Sequence, residues 1–146
     1  DDLNGMDVVR KILILSREVG YEMHIEEVKN EPFIPESCFA VKSVDDFFKE
    51  LEKYDDHFTE LLEKARKKKH KLRFMATMAE GKASVGLRSV GQDHALYNLS
   101  GSDNMLSFTT TRYQERPLVI KGPGAGAEVT AAGVFADIIS IANYLP

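Results

Sequence analysis

Residues 71–90, KLRFMATMAEGKASVGLRSV, constrain the fold more than any other stretch. They read as a β-hairpin with EGK, Glu80 to Lys82, as its turn. Two more strand candidates follow, MLSFTTTRY and PLVIK, and the turn-forming GQDHALYNLSGSDN lies after the hairpin. Helical patterns flank this run of strands. The first contains NGMDVVRKILIL: Asn4 suits the N-cap, Asp7 takes the third helical position, and the helix runs to about Val19 and stops at Gly20. In YEMHIEEVKNEPFIP, Pro32 and Pro35 rule out a long helix, and MHIEEV fits a short strand. Ser43 opens the next helical pattern, SVDD, with two acids at its positive end. Phe47, Phe48, Leu51, Tyr54, Phe58, Leu61, Leu62 and Ala65 then follow helical spacing, and Asp55 and Asp56 break the stretch into two helices. After GPGAG, AEVTAAGVFADIISIANYL reads as a closing helix. Consecutive strands flanked by helices predict an α+β class, with a mixed or antiparallel sheet covered by helices, rather than a βαβ series.

The chain has 146 residues, the size of one ordinary domain, and no internal repeats. It is 43% hydrophobic and 29% charged, as a globular chain is, and its net charge of −4 gives no push toward nucleic acid or a membrane surface. One cysteine, Cys38, excludes an intrachain disulfide and a cysteine metal cluster, and fits a reduced, cytosolic setting. No apolar run approaches the ~18 residues of a membrane span, and no signal-peptide pattern opens the chain. The sequence begins at DDLNG without a methionine, and reads as a fragment or a processed form.

Asp7 and Lys11 stand one helical turn apart, on one face with Ile14 and Glu18. Two readings are open. The first is an exposed ion pair worth ~0.3–0.5 kcal/mol. The second needs the pair to face a cleft, where the lysine protonates or stabilises a developing alkoxide. A carboxylate so near favours the ammonium form, which suits a proton donor better than a resting base. Asp1 and Asp2 add carboxylates that either cap the helix or hold a substrate ammonium or hydroxyl; locally, capping is favoured.

KGPGAGAEVTAAG carries glycines at 122, 124 and 126 between a strand and a helix, the parts of an anion or nucleotide site. The dinucleotide fingerprint G-x-G-x-x-G is absent, because Ala127 stands where its third glycine belongs. A tight turn that lets a backbone come close is the competing reading. EKARKKKHK, residues 63–71, reads as a solvated helix end. His24, His57, His70 and His94 lack ligand spacing, and of these only His94, beside Asp93 in a polar loop, invites a functional role. Cys38 reads as a small, semi-buried residue. SGSDN, residues 100–104, is a turn or a site loop, and the turn is favoured.

DDLNGMDVVRK at the start and PLVIKGPGAGAEVTAAGVFADI at the end resemble two signatures of homoserine dehydrogenase, and LYNLSGSDNMLSFTTTRY resembles that family too. The likeness covers essentially the whole chain and is closest to the dehydrogenase end of the bifunctional aspartokinase–homoserine dehydrogenases. It implies NAD- or NADP-linked interconversion of L-homoserine and L-aspartate 4-semialdehyde, in threonine, methionine and isoleucine synthesis. It implies Lys11 as the acid/base residue, Asp7 and Asp2 as substrate-binding residues, and Gly126, with Gly124, at the cofactor. It implies no metal held by this chain: the carbonyls that bind an alkali ion, a glutamate, another lysine and the Rossmann half lie upstream of Asp1. Residues 1–121 are then the substrate-binding and dimerisation domain. Residues 122–146 are a glycine loop and a closing helix that pack on the nucleotide-binding domain. No cofactor is expected on these residues alone, and a homodimer through the sheet is. The parent is cytoplasmic, or plastid if plant-type, and has no nucleic-acid or membrane partner. The rival is a non-catalytic dimerisation or regulatory module that binds an amino acid.

Overall fold

The computed structural model describes residues 3–144, arranged as two compact units that divide between Gln92 and Asp93. The first unit is built on the hairpin. Strands β2 (Lys71–Ala79) and β3 (Lys82–Val90) pair antiparallel from Lys71 opposite Val90 to Ala79 opposite Lys82. Glu80 and Gly81 form the loop, with φ of 51° and 73°. Two successive positive φ values twist the chain in the sense that continues both strands. Strand β1 (Lys29–Glu31) adds to the far side of β3 in parallel, in the order β1-β3-β2. The sheet is therefore mixed.

Alternation divides its faces. Phe74, Ala76, Met78, Ala83 and Val85 face helix α1 (Met6–Glu18), which lays Val9 and Leu13 against them. Met23 and Val28 complete the buried cluster. Burying each larger aliphatic side chain here contributes about 1.5–3 kcal/mol. Ser16 is the buried polar residue of α1, and it is satisfied: its hydroxyl donates to the Ile12 carbonyl at 2.8 Å. Helix α3 (Asp55–Lys67) packs along β2. It follows α2 (Val44–Glu52), with the break at Lys53–Tyr54, beside the two aspartates as the sequence predicts. Ser43 caps α2 by accepting the Asp46 N–H at 3.1 Å.

Both ends of α1 are set by glycines. Gly20, with φ 94°, follows the helix, and its N–H donates to the Arg17 carbonyl while that of Tyr21 donates to Ser16, a Schellman closure. At the other end the structure corrects the sequence reading by one residue. Gly5, not Asn4, is the N-cap, with φ 79°, and Asn4 assists by accepting the Met6 N–H on its Oδ1 at 3.1 Å. A side chain at position 5 would have to sit in the left-handed region, and its Cβ would approach Phe74 Cζ to 2.8 Å.

Two strand assignments also change. MHIEEV is not a strand. Ile25–Glu27 form a 3₁₀ turn, because the Glu27 carboxylate accepts the His24 N–H at 2.6 Å and curls the segment, and the strand begins at Lys29. In the second unit, β4 (Asp103–Phe108) and β5 (Leu118–Pro123) form a two-stranded antiparallel sheet. The expected strand through Tyr113 stops at Phe108, opposite Leu118. Pro117, just before, has no backbone N–H with which to extend the ladder. Helix α4 (Ala127–Tyr144) closes the chain. None of the described residues of this unit is buried, and Phe135, Ile138, Ile139 and Ile141 of α4 are exposed. Among the described residues, no helix is long and apolar enough to cross a membrane.

On the open face of the first sheet, Glu31 pairs with Lys29 and with Arg88, the latter at 2.7 Å. The hydrogen bond from Lys29, then that from Arg88, holds the Glu31 carboxyl below the usual carboxylate range. A lowered folded-state value stabilises the fold above the unfolded value and loses that contribution as pH falls through the folded one. Glu31→Gln is therefore expected to lower the urea midpoint at pH 7, with the gap from the parent closing below about pH 4.3. A gap that does not change with pH would refute the pairing. Gly5→Ala is expected to cost more than the ~1–2 kcal/mol of placing alanine in the left-handed region. Gly20→Ala, where an added Cβ meets nothing within 4 Å, should cost no more than that. Equal losses in urea titrations would contradict the Phe74 clash.

Candidate functional site

Helix α1 presents the candidate chemistry because its opposite stripe is anchored. Val9 and Leu13 are buried at i and i+4, so Asp7 and Lys11, two residues before each, emerge together on the flank. Lys11 Nζ donates to Asp7 Oδ2 at 3.2 Å. The Asp7 side chain is 31% exposed and that of Lys11 63%. Ile14, on the same face as predicted, is 59% exposed, an apolar side chain one turn beyond the ammonium group.

The start of the helix is tied to the sheet. Asn30 of β1 donates from Nδ2 to the Asn4 carbonyl at 2.8 Å. With Gly5 lodged against Phe74, this fixes where the first turn begins and so where Asp7 stands. Asp2, the other carboxylate singled out from the sequence, lies outside the described residues. A hollow of about 490 Å³ in the first unit is lined by Arg17 and residues 20–24 at the other end of α1. A smaller one, about 200 Å³, lies between α3 and the sheet. Neither includes Asp7 or Lys11.

Gly124 and Gly126 belong to the second unit. Gly126, with φ 131°, starts α4, its carbonyl accepting the Thr130 N–H at 3.0 Å. Added Cβ atoms at Gly122 and Gly126 would meet nothing within 4 Å. The backbone at these two positions therefore borders open space. The described residues hold no group of three or more His, Cys, Asp or Glu that suits a metal ion.

Other candidates resolve into local structure. His94 accepts the Leu96 N–H on Nδ1 at 3.1 Å and caps a 3₁₀ turn, residues 95–98. Cys38 is fully buried rather than semi-buried. SGSDN divides: Gly101, with φ 64°, turns the chain, while Asp103 and Asn104 already belong to β4. Asn104 was read as a turn residue, yet its amide lies against Gly124. The register across two strands that causes this leaves no local signal.

An exposed i,i+4 pair by itself is worth ~0.3–0.5 kcal/mol and identifies nothing. A family model described as homoserine dehydrogenase matches residues 1–139. The chain belongs to the homoserine dehydrogenase family. The homoserine dehydrogenase of Schizosaccharomyces pombe is 44% identical over 150 residues, covering 99% of this chain and 39% of that protein. The chloroplastic bifunctional aspartokinase/homoserine dehydrogenase 2 of Zea mays is 40% identical over 147 residues, 99% of this chain and 16% of that protein. A crystal structure of a Candida auris protein of unknown function matches with a TM-score of 0.91 and 39% identity, over 98% of this chain and 40% of that one. This member of the homoserine dehydrogenase family thus spans well under half the length of these relatives.

Proposed function

We propose that this chain is the substrate-binding and dimerisation part of a homoserine dehydrogenase, interconverting L-homoserine and L-aspartate 4-semialdehyde together with a nucleotide-binding half. The observation that carries this reading is the contact between Asp7 and Lys11, at 3.2 Å, within a segment that the family model covers. Lys11 acts as the general acid toward the aldehyde: its ammonium group delivers a proton to the carbonyl oxygen as negative charge develops there. In the reverse direction the neutral amine takes the hydroxyl proton of homoserine. Asp7 orients Lys11 Nζ, and with Asp2 it binds the polar groups of the substrate. A nicotinamide cofactor, NAD or NADP, supplies the hydride when bound, with Gly124 and Gly126 against it.

The second unit supports the division of labour. Helix α4 is apolar around its circumference, as helices buried on all sides are. We assign residues 122–146 to packing on the nucleotide-binding domain. The apolar residues Leu106, Leu118, Val119 and Ile120, exposed on β4 and β5, favour self-association. We propose a homodimer through the sheet, in a parent that also carries an aspartokinase when it is of the bifunctional kind.

The test is homoserine oxidation, followed by nicotinamide absorbance, with this chain joined to its nucleotide-binding half. Lys11→Ala is expected to lower kcat by about 10²–10⁴-fold. Its circular dichroism should not change, because the side chain is largely in solvent. Asp7→Asn should raise KM for homoserine more than it lowers kcat. Turnover that survives Lys11→Ala removes Lys11 from its role. No turnover in the parent would leave the amino-acid-binding module as the better reading. The 146 residues alone are expected to show no heat of binding with NADH or NADPH; micromolar affinity would refute the assignment of cofactor binding mainly to the other half.

A further inference from the structure

The glycine loop has a neighbour from the adjacent strand. Asn104 on β4 stands opposite Gly122 of β5. Its side chain reaches over Gly124: a Cβ built there would lie 1.4 Å from Asn104 Nδ2 and 2.5 Å from its Cγ. The amide occupies the space that any other residue at position 124 would need. Position 124 is therefore glycine for a long-range reason, while Gly122 and Gly126 face open space. Asn104 is exposed, and among the described residues no protein group hydrogen-bonds its amide. An uncharged donor–acceptor group thus lies at the edge of the glycine loop.

We propose that Asn104 is a cofactor-binding residue whose side-chain amide pairs with the carboxamide of the nicotinamide ring. The inference rests on the dehydrogenase reading above. A primary amide both donates and accepts, so two of them match each other in a way that a charged side chain would not. A group seated over Gly124 meets whatever lies against the loop at that edge.

The experiment uses the full-length protein and measures equilibrium binding of NADH and NADPH by nicotinamide fluorescence. The same measurement is made with their 3-acetylpyridine analogues, which keep the ring carbonyl but lack the amide donor. The unaltered protein is expected to bind the better natural coenzyme at least tenfold more tightly than its analogue. Asn104→Ala should lose at least tenfold in that affinity and bind both forms alike, with ADP-ribose affinity unchanged. Gly124→Ala forces the amide out of its notch and should show the same loss of discrimination, with a lowered Tm. In the double variant the clash is relieved, so Tm should recover while coenzyme affinity stays low. Asn104→Ala that still discriminates, or a double variant that binds as the parent does, would show the notch to be packing alone and overturn the inference. If the parent binds neither coenzyme, the dehydrogenase reading falls, and this inference with it. Parent binding that is merely unaffected by Asn104→Ala removes this inference only.

Discussion

The seat of α1 on the hairpin is the contact on which the rest of the first unit depends. Val9 and Leu13 press on Ala83 and Val85, and the rotation of 100° per residue then leaves no freedom over where residues 7 and 11 emerge. The Asp7–Lys11 bond does not position the helix; an exposed pair of this kind is too weak. Core packing sets the azimuth of α1. Gly5 against Phe74 and the Asn30 bond to the Asn4 carbonyl set its start, and the Schellman turn at Gly20 sets its end. The Asp7–Lys11 face costs the fold little, because the opposite stripe does the anchoring.

The second unit follows a different logic. Its strands and its closing helix carry apolar residues without burying them, so its stability is not supplied from within. That is the condition to be expected if residues 122–146 complete a nucleotide-binding domain, as proposed above. It also explains why the loop tolerates glycines at 122, 124 and 126. Backbone freedom there is restrained by strand pairing through Pro123 and by the start of α4 at Ala127.

Local signals were legible where the cause is local. The Glu80–Gly81 turn, the Ser43 cap and the Gly20 stop each depend on residues within one turn of each other. MHIEEV misled because Met23 and Ile25 alternate with His24 and Glu26 as in a strand, whereas the Glu27 carboxylate, bonded to the His24 N–H, curls the segment. Lys29–Glu31 carries no apolar signature, and only its parallel pairing with β3 makes it a strand. Thr109 to Tyr113 has strand-forming residues but pairs with no strand among the described residues. At the site, spacing disclosed that Asp7 and Lys11 share a face. Their assignment as catalytic and substrate-binding residues came from the likeness of the surrounding motif to a family, since an ion pair of identical geometry occurs on many helices without function.

The amino-acid sequence by itself determined the hairpin, the helices, the Ser43 cap and the Gly20 stop, the α+β class and the family, because periodicity, turn chemistry and motif wording are properties of neighbouring residues. Tertiary structure alone decided that β1 joins in parallel, that a Cβ at Gly5 would meet Phe74, and that the Asn104 amide fills the space over Gly124. Each of these depends on atoms from segments distant in the chain meeting within van der Waals reach, and no local pattern of residue types encodes such a meeting.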